Sequence, residues 1–72
     1  MDLAGKRALI SGGGTGIGAE IARALHRAGA RVTVCGRRAE PLAALCAELG
    51  QGASWTLCDV SASGSPAAAV SA

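Results

Sequence analysis

The stretch Ala8-Leu9-Ile10-Ser11-Gly12-Gly13-Gly14-Thr15-Gly16-Ile17-Gly18 decides the fold. A short apolar run stops at a hydroxyl residue and a glycine cluster, and a periodic helical segment begins directly behind it. Ala8-Leu9-Ile10 reads as a strand buried on both faces and ended by a sharp turn. Past the glycines, Ile17, Ile21 and Leu25 recur at intervals of four, with Ala22, Ala24 and Ala28 beside them, which predicts one apolar helical face. Glu20, Arg23 and Arg27 fall mostly elsewhere on that helix. His26 follows Leu25, points away from the apolar face and reads as solvated. Gly29 stands where a helix end needs a left-handed residue.

Further along, Arg31-Val32-Thr33-Val34-Cys35 is rich in β-branched residues and ends at Gly36, a second strand. Pro41 suits the first turn of a helix. Leu42, Leu45, Cys46 and Leu49 then follow at i, i+3, i+4, i+7, and Gly50 closes the segment. Ser54-Trp55-Thr56-Leu57-Cys58 is a third strand, with Trp55 expected in the core or against a helix. From Ser61 the composition shifts to Ser, Ala, Gly and Pro. Residues 61–72 read as a linker or as the start of a next helix, with Ser65-Pro66 capping it and Val70 at its end. Alternating strands and helices imply parallel strands joined by right-handed crossovers. The fold class is therefore α/β, the βαβαβ half of a doubly wound parallel sheet. The strand that flanks the first one on its free side is expected beyond residue 72.

Size and composition bound what such a chain can be. Seventy-two residues make at most one small domain, and a chain of this length buries only about 60% of the surface it exposes when unfolded. Half of the residues are apolar and 17% charged, which excludes a disordered, highly charged chain. Seventeen residues are alanine, so the core material is thin. The net charge of +2, with Lys and Arg spread along the chain, does not point to nucleic acid. No apolar run approaches the roughly 20 residues of a membrane span, and no apolar segment follows the N-terminal charges as in a signal peptide. Cys35, Cys46 and Cys58 form no C-x-x-C pair and read as small buried hydrophobes of a reducing, cytoplasmic setting. Tyr is absent, and Lys6 and His26 are the sole lysine and histidine. That excludes a multi-His metal site, a His-based triad beyond His26 and any tyrosine proton donor.

The glycine cluster sits where a sheet of this kind binds phosphate, between the first strand and the first helix. Backbone N–H groups and the helix N-terminus face an anion there together. A nucleotide-triphosphate P-loop needs Gly-Lys-Ser/Thr at its end, and no lysine follows any of these glycines. Two dinucleotide registers remain. Gly14-Thr15-Gly16-Ile17-Gly18-Ala19 fits G-x-G-x-x-A, and Gly12, Gly16 and Gly18 fit G-x-x-x-G-x-G with its first glycine immediately after the strand. The second is favoured, because it starts the turn at the strand's end and leaves residues 13–15 to wrap the phosphates.

The chain closely resembles the N-terminal part of the classical short-chain dehydrogenases/reductases. The resemblance rests on Gly5-Lys6-Arg7-Ala8-Leu9-Ile10-Ser11-Gly12, Thr15-Gly16-Ile17-Gly18, Ala22, Ala24-Leu25, Gly29-Ala30, Val32, Gly36-Arg37-Arg38 and Cys58-Asp59-Val60, and so covers about residues 3–60. Ser11 replaces the family's usual Thr and keeps the hydroxyl. The implied architecture is half of a Rossmann domain over residues 1–72, and the implied pyrophosphate ligands are Gly12, Gly14, Thr15, Gly16, Ile17 and Gly18.

An acidic residue about 20 residues past the glycines would bond the ribose 2′-OH and select NAD. Here the second strand ends in Gly36, Arg37 and Arg38, with no acid before Glu40. A guanidinium pairs bidentately with a 2′-phosphate where a carboxylate would repel it. NADP is therefore the expected cofactor, bound mainly by Arg37 with Arg38 in support. The resemblance also implies that Asp59 caps the adenine amino group and Val60 lines the adenine slot. The residues alone leave Asp59 able also to accept turn N–H bonds or to cap a following helix, and the two readings need not exclude each other.

Members of this family transfer hydride between the cofactor and a carbonyl/alcohol pair, with a Tyr-x-x-x-Lys pair supplying the proton. A chain without Tyr and with Lys6 alone cannot contain that pair, so these 72 residues are expected to be inactive by themselves. Three functions compete: the NADP(H)-binding portion of an oxidoreductase, a sensor that binds NADP(H) without turning it over, and a truncated product without function. The resemblance further implies that full-length relatives are homo-oligomers.

Overall fold

A computed structural model describes residues 2–12, 16–58 and 67–71. The elements run β1 (Arg7–Ser11), α1 (Gly16–Arg27), β2 (Arg31–Gly36), α2 (Ala39–Leu49), β3 (Ala53–Leu57) and β4 (Ala67–Ser71). The four strands form one sheet in the order β3-β2-β1-β4. β1 pairs with β2 and β2 with β3 in parallel, while β4 runs antiparallel to β1.

Alternation along the strands sets the core. Ala8 and Ile10 point to one side of β1, beside Val32 and Val34 of β2, and all four are buried. α1 lies over β1 and β2, presenting Gly18 and Ala22, four residues apart and both buried. Small residues there let the helix axis come close to the sheet. α2 lies over β2 and β3 and inserts Leu42 and Leu45. Ile21, Leu25, Cys46 and Leu49 pack partly buried around this cluster. Both helices end as the sequence predicts: Gly29 has φ 104° and Gly50 φ 80°. Alanine at Gly29 would be strained by its backbone and would also bring its Cβ to 3.2 Å from the Ala4 backbone nitrogen.

Two side-chain contacts tie α1 to α2 and to the turn ahead of β3. Arg23 donates from Nε to Glu48 Oε2 (2.6 Å) and from Nη2 to Glu48 Oε1 (3.1 Å), a forked pair joining the two helices. His26 Nε2 lies 2.8 Å from the Gln51 carbonyl oxygen. His26 is therefore half-buried and docked against the turn before β3, not solvated as its position on the helix suggests.

Three further expectations are corrected. Both helices cover the same face of the sheet, so β1 is not buried on both sides, and Leu9 is 50% exposed. Trp55 belongs by register to the helix side, beside Val34, but β3 is an edge strand and Trp55 remains 40% exposed. Residues 67–71 form a strand where the sequence predicts a helix ending at Val70, with the proposed cap at Ser65-Pro66 outside the described residues. The edge of β1 is therefore filled within this chain, by pairs from Ser11↔Ala67 to Arg7↔Ser71. The physical reason is the row of unpaired N–H and C=O groups that β1 would otherwise present. Direction follows from connection length. Residues 58–66 join β3 to β4, while a parallel return needs a crossover of about a dozen residues or more. An antiparallel β4 starts at the same end of the sheet where β3 stops.

Leu42 has no exposed surface. Its replacement by alanine should cost about 2–5 kcal/mol, against the roughly 3–5 kcal/mol that so small a core supplies. Leu42→Ala is expected to abolish a cooperative urea transition, whereas Leu57→Ala, at an exposed position, should move the midpoint little. The hydrogen bond from Arg23 holds the Glu48 carboxyl below its ordinary range. A depressed carboxylate stabilises above its unfolded pKa and ceases to do so as pH falls through the folded one. The melting-temperature gap between the wild type and Glu48→Gln should accordingly be present at pH 7, shrink with added salt and close in acid below the usual glutamate range.

Candidate functional site

Parallel pairing puts the C-terminal ends of β1, β2 and β3 on one edge of the sheet. Ser11, Gly36 and Leu57 mark that edge, and Gly12, Gly16, Ile17, Gly18, Arg37 and Arg38 lie on or just past it. Gly12 turns the chain away from β1 with φ 72°, a left-handed conformation that glycine adopts without strain. Its N–H donates to the Cys35 carbonyl at 2.9 Å, which ties the turn to β2.

α1 begins at Gly16 with no acidic residue in its first turn. Its N-terminal amides thus carry their partial positive charge toward this edge uncompensated by a carboxylate of that turn. Gly18 is buried on the sheet side of the helix. Gly16 is different: a Cβ there would meet no protein atom within 4 Å, so no protein neighbour demands glycine. Ile17, expected on the apolar face with Ile21 and Leu25, is 66% exposed instead. It sits at the very start of α1, ahead of the part that packs on the sheet.

At the end of β2, the Gly36 carbonyl accepts the N–H of Cys58 at 2.8 Å, holding the exit of β3 against that of β2. An added Cβ on Gly36 would lie 3.5 Å from Leu42 Cδ2, so glycine fits the close approach of α2. Arg37 and Arg38 come next, both exposed. Arg38 is extended (φ −121°, ψ 127°) at the N-cap of α2, and its side chain makes no capping bond. Among the described residues neither arginine has a carboxylate partner; the ion pair present is Arg23–Glu48. Gly14, Thr15, Asp59 and Val60 lie outside the described residues.

Cys35 near this edge is quiet, and so is Cys46 on α2. Burial, with a hydrogen bond to Cys58, pushes the Cys35 thiol up to about 11, and burial also raises Cys46. A thiol that stays protonated at neutral pH is neither a nucleophile nor a competing anion. Sequence reasoning misses the contact between Cys35 and Cys58; the only signal for it is that each ends a neighbouring parallel strand. Among the described residues no three His, Cys, Asp or Glu side chains gather closely enough to hold a metal ion. Nor is any described helix long and apolar enough to cross a membrane. The edge thus offers amides, glycine surface and guanidinium groups, the means to bind an anion.

Comparison with known proteins agrees with this geometry. The sequence pattern described as short chain dehydrogenase matches residues 6–72. The chain is 51% identical over 69 residues to momilactone A synthase of Oryza sativa subsp. japonica, covering 94% of this chain and 25% of that protein. It is 52% identical over 48 residues to L-xylulose reductase of Bos taurus, covering 67% of this chain and 20% of that one. Among solved structures, a short chain dehydrogenase/reductase family protein superposes with a TM-score of 0.76 at 41% identity, over 82% of this chain and 25% of its own. An actinorhodin polyketide ketoreductase variant solved with NADPH gives 0.66 at 42% identity, over 71% of this chain and 21% of its own. The chain spans a quarter or less of the length of these relatives. A family pattern matched from Lys6 to the last residue, on a sheet whose first turn carries Gly12, Gly16 and Gly18, places this chain in the short chain dehydrogenase family.

Proposed function

We propose that residues 1–72 are the N-terminal half of an NADP(H)-binding domain, part of an oxidoreductase that interconverts a carbonyl and an alcohol. In this reading Gly12, Gly14, Thr15, Gly16, Ile17 and Gly18 hold the pyrophosphate. Arg37, supported by Arg38, takes the 2′-phosphate, Asp59 the adenine amino group, and Val60 a wall of the adenine slot. When bound, the nicotinamide supplies or accepts the hydride. The residues of this chain bind and orient the adenosine and phosphate end.

The observation that carries the reading is the pairing of two features on one sheet edge. An acid-free helix N-terminus with open space over Gly16 lies at the end of β1, and two exposed arginines without carboxylate partners among the described residues lie at the end of β2. A buried, protonated Cys35 adds no negative charge beside Arg37. The solved relative with NADPH, at 42% identity, supports the choice of cofactor. The three free thiols fit a reducing, cytoplasmic setting, and a homo-oligomer is the assembly proposed for the whole protein.

These 72 residues contain no Tyr and one lysine, Lys6. That favours a second reading of the chain taken by itself, a module that binds NADP(H) without turning it over. Titration calorimetry separates the two: millimolar affinity fits a portion of a larger site, and micromolar affinity fits a self-sufficient sensor.

Two substitutions test the site itself. NADPH should bind more tightly than NADH by about tenfold, the scale of one charge-assisted forked pair, and Arg37→Ala should remove that preference while leaving NADH unchanged. Equal affinities in the wild type would refute the cofactor assignment. Gly16→Ala should not lower the melting temperature, since alanine meets no protein atom and favours helix. It should weaken binding of both dinucleotides, because the methyl group stands where the phosphates approach.

A further inference from the structure

β3 ends the sheet on the side away from β1. In a doubly wound sheet of order 3-2-1-4-5-6 the third strand remains an edge, because later strands join beyond the first. Trp55 and Leu57 alternate onto the face that α1 and α2 already cover, yet they stay 40% and 57% exposed. Helices laid on the opposite face leave that exposure unchanged.

Edge strands are commonly protected by charge, proline or a bulge. Ala53-Ser54-Trp55-Thr56-Leu57 has no charged residue and no proline, and its pairing with β2 runs unbroken from Val32↔Ala53 to Gly36↔Leu57. The Val32 N–H donates to the Gly52 carbonyl at one end of this ladder, and the Cys58 N–H to the Gly36 carbonyl at the other. Parallel alternation between those ends turns the peptide groups of Ser54 and Thr56 toward β2. The N–H and C=O of Trp55 and Leu57 face outward, where no described strand meets them.

These outward groups are complementary to themselves. Two copies set antiparallel about a two-fold axis at Thr56 pair Trp55 of each with Leu57 of the other. Each pair exchanges two backbone hydrogen bonds and sets an indole directly opposite a leucine on the helix side. A register centred on Trp55 would need the Ala53 N–H, which already donates to the Gly50 carbonyl at 3.3 Å. The axis also brings α2 beside its copy, two strand spacings or roughly 10 Å away, a usual distance between packed helices. Glu48 reaches Arg23 on one flank of α2, and at 3.6 residues per turn the opposite flank carries Ala39 and Ala43. No charged side chain of the strand or of that flank therefore meets its own copy. One short strand and one helix flank make a patch at the low end of specific interfaces, below roughly 1,200 Å², so the pairing is reversible and concentration-dependent.

We propose that β3 is a self-association edge, through which two copies of this chain join antiparallel at Trp55, Thr56 and Leu57 into one continuous sheet.

Trp55 is the sole tryptophan of a chain without Tyr or Phe, so its fluorescence reports this edge alone. Raising the concentration from micromolar to millimolar is expected to give a dimer in sedimentation, with Trp55 emission shifting to the blue in step. Thr56→Lys and Thr56→Glu each place like charges directly opposite at the axis, and each should weaken the dimer about fivefold. An equimolar mixture of the two variants should recover association, because unlike charges then meet. A chain that stays monomeric at millimolar concentration would overturn the proposal. Association with unshifted Trp55 emission, or association that neither charge weakens, would overturn it too, since the copies would then meet through the face that carries Leu9. Wild-type sedimentation and emission decide the matter even if a variant fails to fold.

Discussion

The side-by-side pairing of β1 with β2, with Ala8 and Ile10 set beside Val32 and Val34, is the interaction on which the rest depends. It fixes the direction of the sheet, and through that the position of every loop. A strand that starts parallel to its neighbour must be reached by a crossover, so α1 and α2 are obliged to lie against the sheet. Both lie on the same face, and Gly18, Ala22, Leu42 and Leu45 are what they bury. The same pairing brings the exits of three strands together, at Gly12, Gly36 and Cys58, without any further device.

Part of this was legible in the sequence because it is local. The β-branched run at residues 31–35, the leucines of α2 and the helix-ending Gly29 and Gly50 each encode their structure within a few residues. The glycine turn was legible for the same reason, as its steric demands are set by its own backbone. Arg37 and Arg38 could be placed as soon as the end of β2 was known, since residues directly after a strand lie at its exit.

What escaped the sequence depends on partners distant along the chain. Residues 67–71 are mostly alanine, whose local preference is helical, and they form a strand because β1 offers an unpaired edge. Leu9 reads as core from its neighbours, yet the face it points to is covered by neither helix. Ile17 continues the four-residue spacing of Ile21 and Leu25, but it is the second residue of α1, ahead of Gly18, where burial begins. His26 gains a carbonyl partner from Gln51, twenty-five residues away. In each case local spacing carries no information about what stands opposite, and the opposing partner decides the outcome.

The two positively charged ends of the sheet differ in origin, and that difference governs how each can change. At the exit edge much of the field comes from backbone amides of α1, which any sequence compatible with the fold would supply. In the proposed reading, Arg37 only adjusts which dinucleotide that field prefers. At the opposite end the field comes wholly from the side chains of Arg7 and Arg31, and the fold contributes no more than their adjacency. Substitution can therefore erase the second field without touching strand pairing, whereas the first cannot be erased without altering the turn that lets α1 begin. The field at the exit edge is a property of the architecture, and the arginine pair is a property of this particular chain.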